Sequence, residues 1–115
     1  MRINLAITVI VIIIFGLGSC KKASNDDSKP WIELQGYNPV YSELGVPYQD
    51  AGAIVWDINE AGDTVDISGN LKTEDNVNAN VAGKYYVKYN AQDDAGNNAD
   101  EVTRTVYIQV FKQKN

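Results

Sequence analysis

The chain has 115 residues, no histidine, one cysteine and a formal charge of −5. Without histidine there is no imidazole-based nucleophile system and no His-ligated zinc, and one cysteine cannot build a disulfide framework. The acid excess argues against nucleic acid as a partner, because phosphate recognition rests on lysine and arginine.

In chain order, a single charge at Arg2 precedes an almost unbroken apolar run from Leu5 to Leu17. That run is too short for a bilayer core needing roughly 20 residues, and it has the form of a secretory signal. Leu17-Gly18-Ser19-Cys20 then resembles the bacterial lipobox. The resemblance implies that residues 1–19 are a signal peptide and that Cys20 becomes a lipidated N-terminus. Two or more acyl chains, at about 0.8 kcal/mol per buried CH₂, hold firmly where one does not. After Cys20, the segment to Lys29 has no apolar side chain larger than alanine, so residues 20–29 read as a flexible tether. Lys21 and Lys22 beside the cysteine resemble lipoproteins passed to an outer membrane. Asp26 and Asp27 loosely resemble a surface-export signal. The expected location is therefore the outer membrane, lipid-anchored and facing outward, with a periplasmic face as the alternative.

Residues 30–115 remain as one domain, with six basic side chains against thirteen acidic ones. No disulfide supports it, so its stability must come from well-patterned hydrophobic layers. Trp31–Leu34 and Val40–Tyr41 read as short strands bounded by Gly36, Pro39 and Gly45. Ala51–Ile58 and Thr64–Ser68 form a strand pair around Asn59-Glu60-Ala61-Gly62-Asp63, and Gly69–Asn80 reads as a loop. From Lys84 to Gln92, Tyr85, Val87, Tyr89 and Ala91 share one face. From Glu101 to Phe111, Val102, Val106, Ile108 and Val110 do the same. Period-two alternation of β-branched and aromatic residues is the signature of half-buried antiparallel strands. The turn formers from Asp93 to Asn98 make the last two strands a hairpin. With no helical periodicity of useful length, about seven short strands predict an all-β antiparallel sandwich.

The segment from Val81 to Ala99 carries Gly83-Lys84-Tyr85-Tyr86-Val87-Lys88-Tyr89-Asn90-Ala91-Gln92-Asp93-Asp94-Ala95-Gly96-Asn97, followed by Arg104-Thr105-Val106-Tyr107-Ile108. Upstream lies Gly45-Val46-Pro47-Tyr48-Gln49-Asp50-Ala51-Gly52-Ala53. Together these resemble bacterial surface immunoglobulin-like domains, similar to the Ig-like repeats of pesticidal crystal proteins and bacterial cell-surface proteins. The resemblance implies an immunoglobulin-like fold over nearly all of residues 31–111. It is weak for function, since such modules act as adhesive, carbohydrate-associated or spacer domains.

Arg104 lies in phase with Val102, Val106, Ile108 and Val110 and so points inward. An inward arginine needs a partner; Asp93 across the hairpin is the first candidate and Asp50 the second. The oxygen-rich turn of Asp93, Asp94, Asn97 and Asp100 is a candidate calcium site, ranked behind an ordinary hairpin because Asp and Asn are default turn residues. The turn of Asp57, Asn59, Glu60 and Asp63 ranks lower still. Paired carboxylates for glycoside hydrolysis would need a desolvated cleft, for which so small a sandwich has little room, so no catalysis is expected. If Ala53 and Val55 face the core, Trp56 is exposed. Trp31, Tyr37, Tyr41, Tyr48, Tyr86 and Tyr107 are then candidate companions in a platform for sugar rings or a protein partner. The competing reading packs Trp56 under the Gly69–Asn80 loop. Asp63-Thr64-Val65 also resembles an Asp-Thr-aliphatic O-glycosylation acceptor at Thr64. The expectation is a non-enzymatic envelope lipoprotein, without cofactor, that binds or adheres to a glycan or protein. The alternative is an accessory subunit docked on another outer-membrane protein.

Overall fold

The computed structural model describes residues 26–113; the apolar run, the lipobox and Cys20 lie outside the described residues. Seven strands follow in order: β1 Trp31–Leu34, β2 Val40–Glu43, β3 Ala53–Ile58, β4 Thr64–Asp66, β5 Lys72–Asp75, β6 Gly83–Asn90 and β7 Val102–Gln109. A single 3-10 turn at Ser68–Asn70 separates β4 from β5. The strands build two sheets, one ordered β1-β3-β4 and the other β2-β7-β6-β5. This is the all-β sandwich that the alternation predicts.

One strand pair departs from the antiparallel expectation. β2 runs parallel to β7, while β1 runs antiparallel to β3 in the other sheet. The chain crosses between the sheets at 35–39, where Gly36 takes a φ of +78°. Only glycine adopts that left-handed region readily, so the crossing depends on it. Asn38 bridges the gap ahead of β2: its side chain accepts the Thr105 N–H at 2.9 Å and donates to the Thr103 carbonyl at 3.3 Å.

A second departure is β5. Lys72-Thr73-Glu74-Asp75 is exposed throughout and lies within the segment read as a loop. It pairs antiparallel with β6 as an edge strand. Charged side chains on such an edge discourage pairing with other chains.

The core lies between the inward faces of both sheets. Val55, Val87, Tyr89 and Val106 are fully buried, and Ile32, Ile108, Ala91 and Ala99 complete the cluster. Each fully buried valine or isoleucine side chain contributes about 1.5–3 kcal/mol, which is how a small domain stands without a disulfide. The inward phase of β6 and β7 read from the alternation holds for these residues. Val110 falls past the end of β7 and is exposed.

The last residues of the expected tether lie on the domain. Pro30 is fully buried, Lys29 pairs with Asp100 at 3.0 Å, and the Asn97 side-chain amide donates to the Asp26 carbonyl at 3.0 Å. The domain is therefore engaged from Asp26, a few residues earlier than the composition suggests.

Candidate functional site

Two exposed aromatic faces, one internal polar knot and the Asp93 turn hold most of the residues singled out by sequence. The first face is the outer side of the three-stranded sheet. β1 and β3 pair so that Trp31 stands directly opposite Trp56, and Trp56 stands opposite Asp66 on β4. Ile32 and Val55 point to the core, which turns both tryptophans outward. Directly opposed residues of an antiparallel pair have Cβ atoms about 5 Å apart, so the two indoles are neighbours. Trp31 is 43% exposed. Trp56 is half-buried, and its indole N–H donates to the Glu33 carboxylate at 3.2 Å. That bond orients the ring, and the face carries two large aromatics framed by Glu33 and Asp66. Trp56 thus lies in a cross-strand ladder between Trp31 and Asp66.

The second face is the outer side of the four-stranded sheet. Tyr41 and Tyr107 stack with ring centroids 5.2 Å apart and planes inclined by 13°. The Lys84 ammonium lies 5.7 Å from the Tyr86 ring centroid and 5.9 Å from that of Tyr107. Tyr86 and Tyr107 therefore belong to a different face from the tryptophans. Tyr37, in the crossing segment, is 81% exposed and belongs to neither. Thr64 is exposed at the start of β4.

The internal knot centres on Arg104, which is 1% exposed. Its Nε meets the Asp50 carboxylate at 2.9 Å and also donates to the Tyr89 hydroxyl at 3.2 Å. Nη1 donates to the Tyr37 carbonyl, and Nη2 donates to the carbonyls of Gln35 at 2.7 Å and Gly52 at 2.9 Å. Asp50 in turn accepts from the Tyr48 hydroxyl at 2.6 Å, from the Gly52 N–H at 2.9 Å and from the Tyr89 hydroxyl. Burial opposes ionisation of Asp50, yet these hydrogen bonds and the Arg104 charge outweigh it and hold the carboxyl below its ordinary range. Burial, reinforced by the bond to Asp50, pushes the Tyr89 hydroxyl up to about 12. The inward arginine is thus paired with Asp50, and Asp93 is not its partner.

Asp93 serves its own turn instead. It is buried, and its carboxylate accepts the N–H groups of Ala95 at 3.0 Å and Asn97 at 2.8 Å, with the Asn97 side-chain amide at 3.0 Å. Those bonds overcome the burial penalty and keep the Asp93 carboxyl low. The turn does not assemble the calcium ligands expected from Asp93, Asp94, Asn97 and Asp100. Asn97 presents donors to Asp93, and Asp100 is taken by Lys29. A different trio converges: carboxylate oxygens of Asp26, Asp57 and Asp93 all lie within 4.8 Å of one another and are the residues able to hold a cation here. Three carboxylates fall short of the six to eight oxygens calcium prefers.

Tyr48 and Asp50 are the functional-looking residues that residue-level reading underrated. The Tyr48-x-Asp50-x-Gly52 spacing was the available signal, because it sets a hydroxyl, a carboxylate and a turn glycine on one side of the chain.

With this geometry in place, comparison with known proteins is direct. A family model described as a bacterial surface protein, Ig-like domain, matches residues 32–108, from β1 to β7. The chain belongs to this family of bacterial surface Ig-like domains. Among solved structures it is similar to the lipoprotein BT2262 from Bacteroides thetaiotaomicron, at 25% identity with a TM-score of 0.56. The match covers 74% of this chain and 40% of that one, so the chain spans well under two thirds of its neighbour's length. No curated protein matches the chain. Family membership makes it a module of the bacterial cell envelope. Among the described residues, no helix is long and apolar enough to cross a membrane.

Proposed function

We propose that the chain is a non-enzymatic outer-membrane lipoprotein, anchored through Cys20, whose Ig-like domain binds a glycan. The observation that carries this reading is the cross-strand placement of Trp31 opposite Trp56 on an exposed sheet face. Flat indoles offer apolar surface for the C–H faces of sugar rings, and the neighbouring Glu33 and Asp66 carboxylates accept hydrogen bonds from sugar hydroxyls. The acids also disfavour anionic sugars there, which points to a neutral glycan. Screening the full chain in detergent against a glycan array tests the reading, with Trp31→Ala and Trp56→Ala as controls. A neutral glycan lost in both variants supports it; the absence of any hit overturns it.

An accessory role is the second reading. Val46, Val81, Val110 and Phe111 are exposed near the end of the sandwich away from Asp26. Bonds from the Gly45 N–H to the Ala79 carbonyl and from the Leu44 N–H to the Gln109 carbonyl hold these segments together. Clustered apolar groups of this kind favour a protein contact. An envelope protein that co-purifies with the wild type but not with Phe111→Ser would favour this role over glycan binding.

A further inference from the structure

The two outer faces of the sandwich differ in charge as well as in their aromatics. Among the described residues the strands carry three lysines, Lys72, Lys84 and Lys88, and pairing places all three on the outer side of the four-stranded sheet. Tyr89 and Val87, their inward neighbours, are fully buried, which fixes that orientation. The acids on this side are Glu43, whose carboxylate accepts the Phe111 N–H at 3.2 Å, Glu74, opposite Lys88 in the register, and Glu101, whose carboxylate accepts the Asn90 side-chain amide at 3.0 Å; Asp75 lines the same groove as Tyr86 and Lys88. The strands of the tryptophan face present Glu33 and Asp66 and no lysine. A domain that is acidic overall therefore gathers its strand lysines on one surface.

That surface also has a shape. Tyr41, Tyr107, Lys84 and Tyr86 form a continuous ridge across β2, β7 and β6, with Lys84 lying between two rings. Exposed ring faces stack on the apolar faces of pyranoses. An ammonium set between them is placed to meet a carboxylate or sulfate carried by the same sugar. Lys88 and Lys72 continue the positive charge toward β5, so successive anionic groups along one chain can be met in turn. Thr103 and Thr105, beside the ridge on β7, supply hydroxyls for sugar hydrogen bonds.

We propose that this face binds an acidic polysaccharide, one bearing carboxylate or sulfate groups, separately from the tryptophan face. The Lys84 ammonium between the Tyr86 and Tyr107 rings selects the anion, and the tyrosine ridge selects a ring-bearing chain over an acidic polypeptide. This inference does not depend on glycan binding by Trp31 and Trp56.

The test is affinity electrophoresis of the full chain in detergent through gels containing polygalacturonate, heparin, neutral dextran or polyglutamate. Retardation by polygalacturonate or heparin is expected, and which of the two is stronger identifies the carboxylate or the sulfate as the preferred group. Binding should weaken about tenfold in Lys84→Ala/Lys88→Ala, as the loss of two screened ion pairs predicts. It should also weaken in Tyr86→Ala and with added salt, and stay unchanged in Trp56→Ala. The Lys84→Gln/Lys88→Gln pair, which keeps the side-chain stems, serves if the alanine pair alters the urea midpoint. No retardation by either polyanion at low salt would overturn the proposal. So would retention that ignores the lysine pair, or polyglutamate binding of equal strength that Tyr86→Ala leaves intact.

Discussion

The guanidinium of Arg104 on β7 meets the carboxylate of Asp50, in the connection between β2 and β3, at 2.9 Å inside the sandwich. The same guanidinium takes the carbonyls of Gln35, Tyr37 and Gly52. One side chain thereby ties the four-stranded sheet to both connections that flank the first sheet. Arg104→Ala should cost about 3–5 kcal/mol in urea denaturation, because it leaves three carbonyls and a carboxylate without their cation. Arg104→Lys should rescue only part of that loss, since an ammonium cannot reproduce the guanidinium fork. Equal stability for wild type and Arg104→Ala would refute the assignment.

The pH dependence follows from the same cluster. The folded state holds Asp50 below the usual carboxylate range, so its contribution is complete above roughly pH 4 and is lost as pH falls through the lower folded value. Asp50→Asn should be less stable at neutral pH and show a shallower acid limb. On the alkaline side, Tyr89 is raised to about 12 and Tyr48 is raised as well. Their contribution is complete below about pH 10 and is lost as pH climbs toward the raised values. Tyr89→Phe should flatten that alkaline loss, as read from denaturation midpoints across the range.

Gly36 and Gly52 separate two effects of a glycine. Both have positive φ, +78° and +82°. A Cβ on Gly36 would stand 2.8 Å from the Ala51 Cβ, whereas one on Gly52 would meet nothing within 4 Å. Gly52→Ala should cost about 1–2 kcal/mol from the left-handed backbone alone. Gly36→Ala should cost clearly more, because the crossing segment over Arg104 must also shift. Thermal midpoints of the two variants will show whether this order holds.

The Asp93 turn yields a comparison between adjacent acids. Asp93 is buried and accepts three hydrogen bonds, while Asp94 is exposed. Asp93→Ala should destabilise by about 1–3 kcal/mol, and Asp94→Ala by no more than about 0.5 kcal/mol. Matching losses in the two variants would contradict the turn assignment.

Both tryptophans of the chain stand on the face framed by Glu33 and Asp66. Relative to free N-acetyltryptophanamide, their fluorescence should therefore be quenched more by cesium and less by iodide, because the local field attracts the cation. Glu33→Gln should narrow the difference. A cesium-to-iodide quenching ratio at or below that of the free indole would mean that the indoles lie elsewhere.

Much of the architecture was legible because β3, β6 and β7 alternate β-branched and aromatic residues against polar ones over six to eight positions. β5 was not, since an edge strand of Lys-Thr-Glu-Asp buries neither face and leaves no hydrophobic period to read. The inward direction of Arg104 was legible from its phase. Its partner was not: phase says which face a side chain takes and nothing about which distant connection folds over it. The pairing of Trp31 with Trp56 likewise required the register between β1 and β3, which composition does not carry. For the acidic turn, residue types suggested cation ligands, but backbone N–H groups had already claimed the Asp93 oxygens.

The attachment of Asp26, Lys29 and Pro30 to the sandwich has a consequence for reach. With the anchor we propose at Cys20, only residues 21–25 separate the acyl chains from the first residue bonded to the domain. At about 3.5 Å per residue at most, such a leash can reach no further than roughly 20 Å. A sandwich held on so short a leash stays close to the lipid headgroups, with its 59–63 and 91–101 turns nearest the bilayer. Under the anchoring we propose, it would meet ligands by lateral diffusion within the membrane plane, and neighbouring copies would gain avidity through surface density.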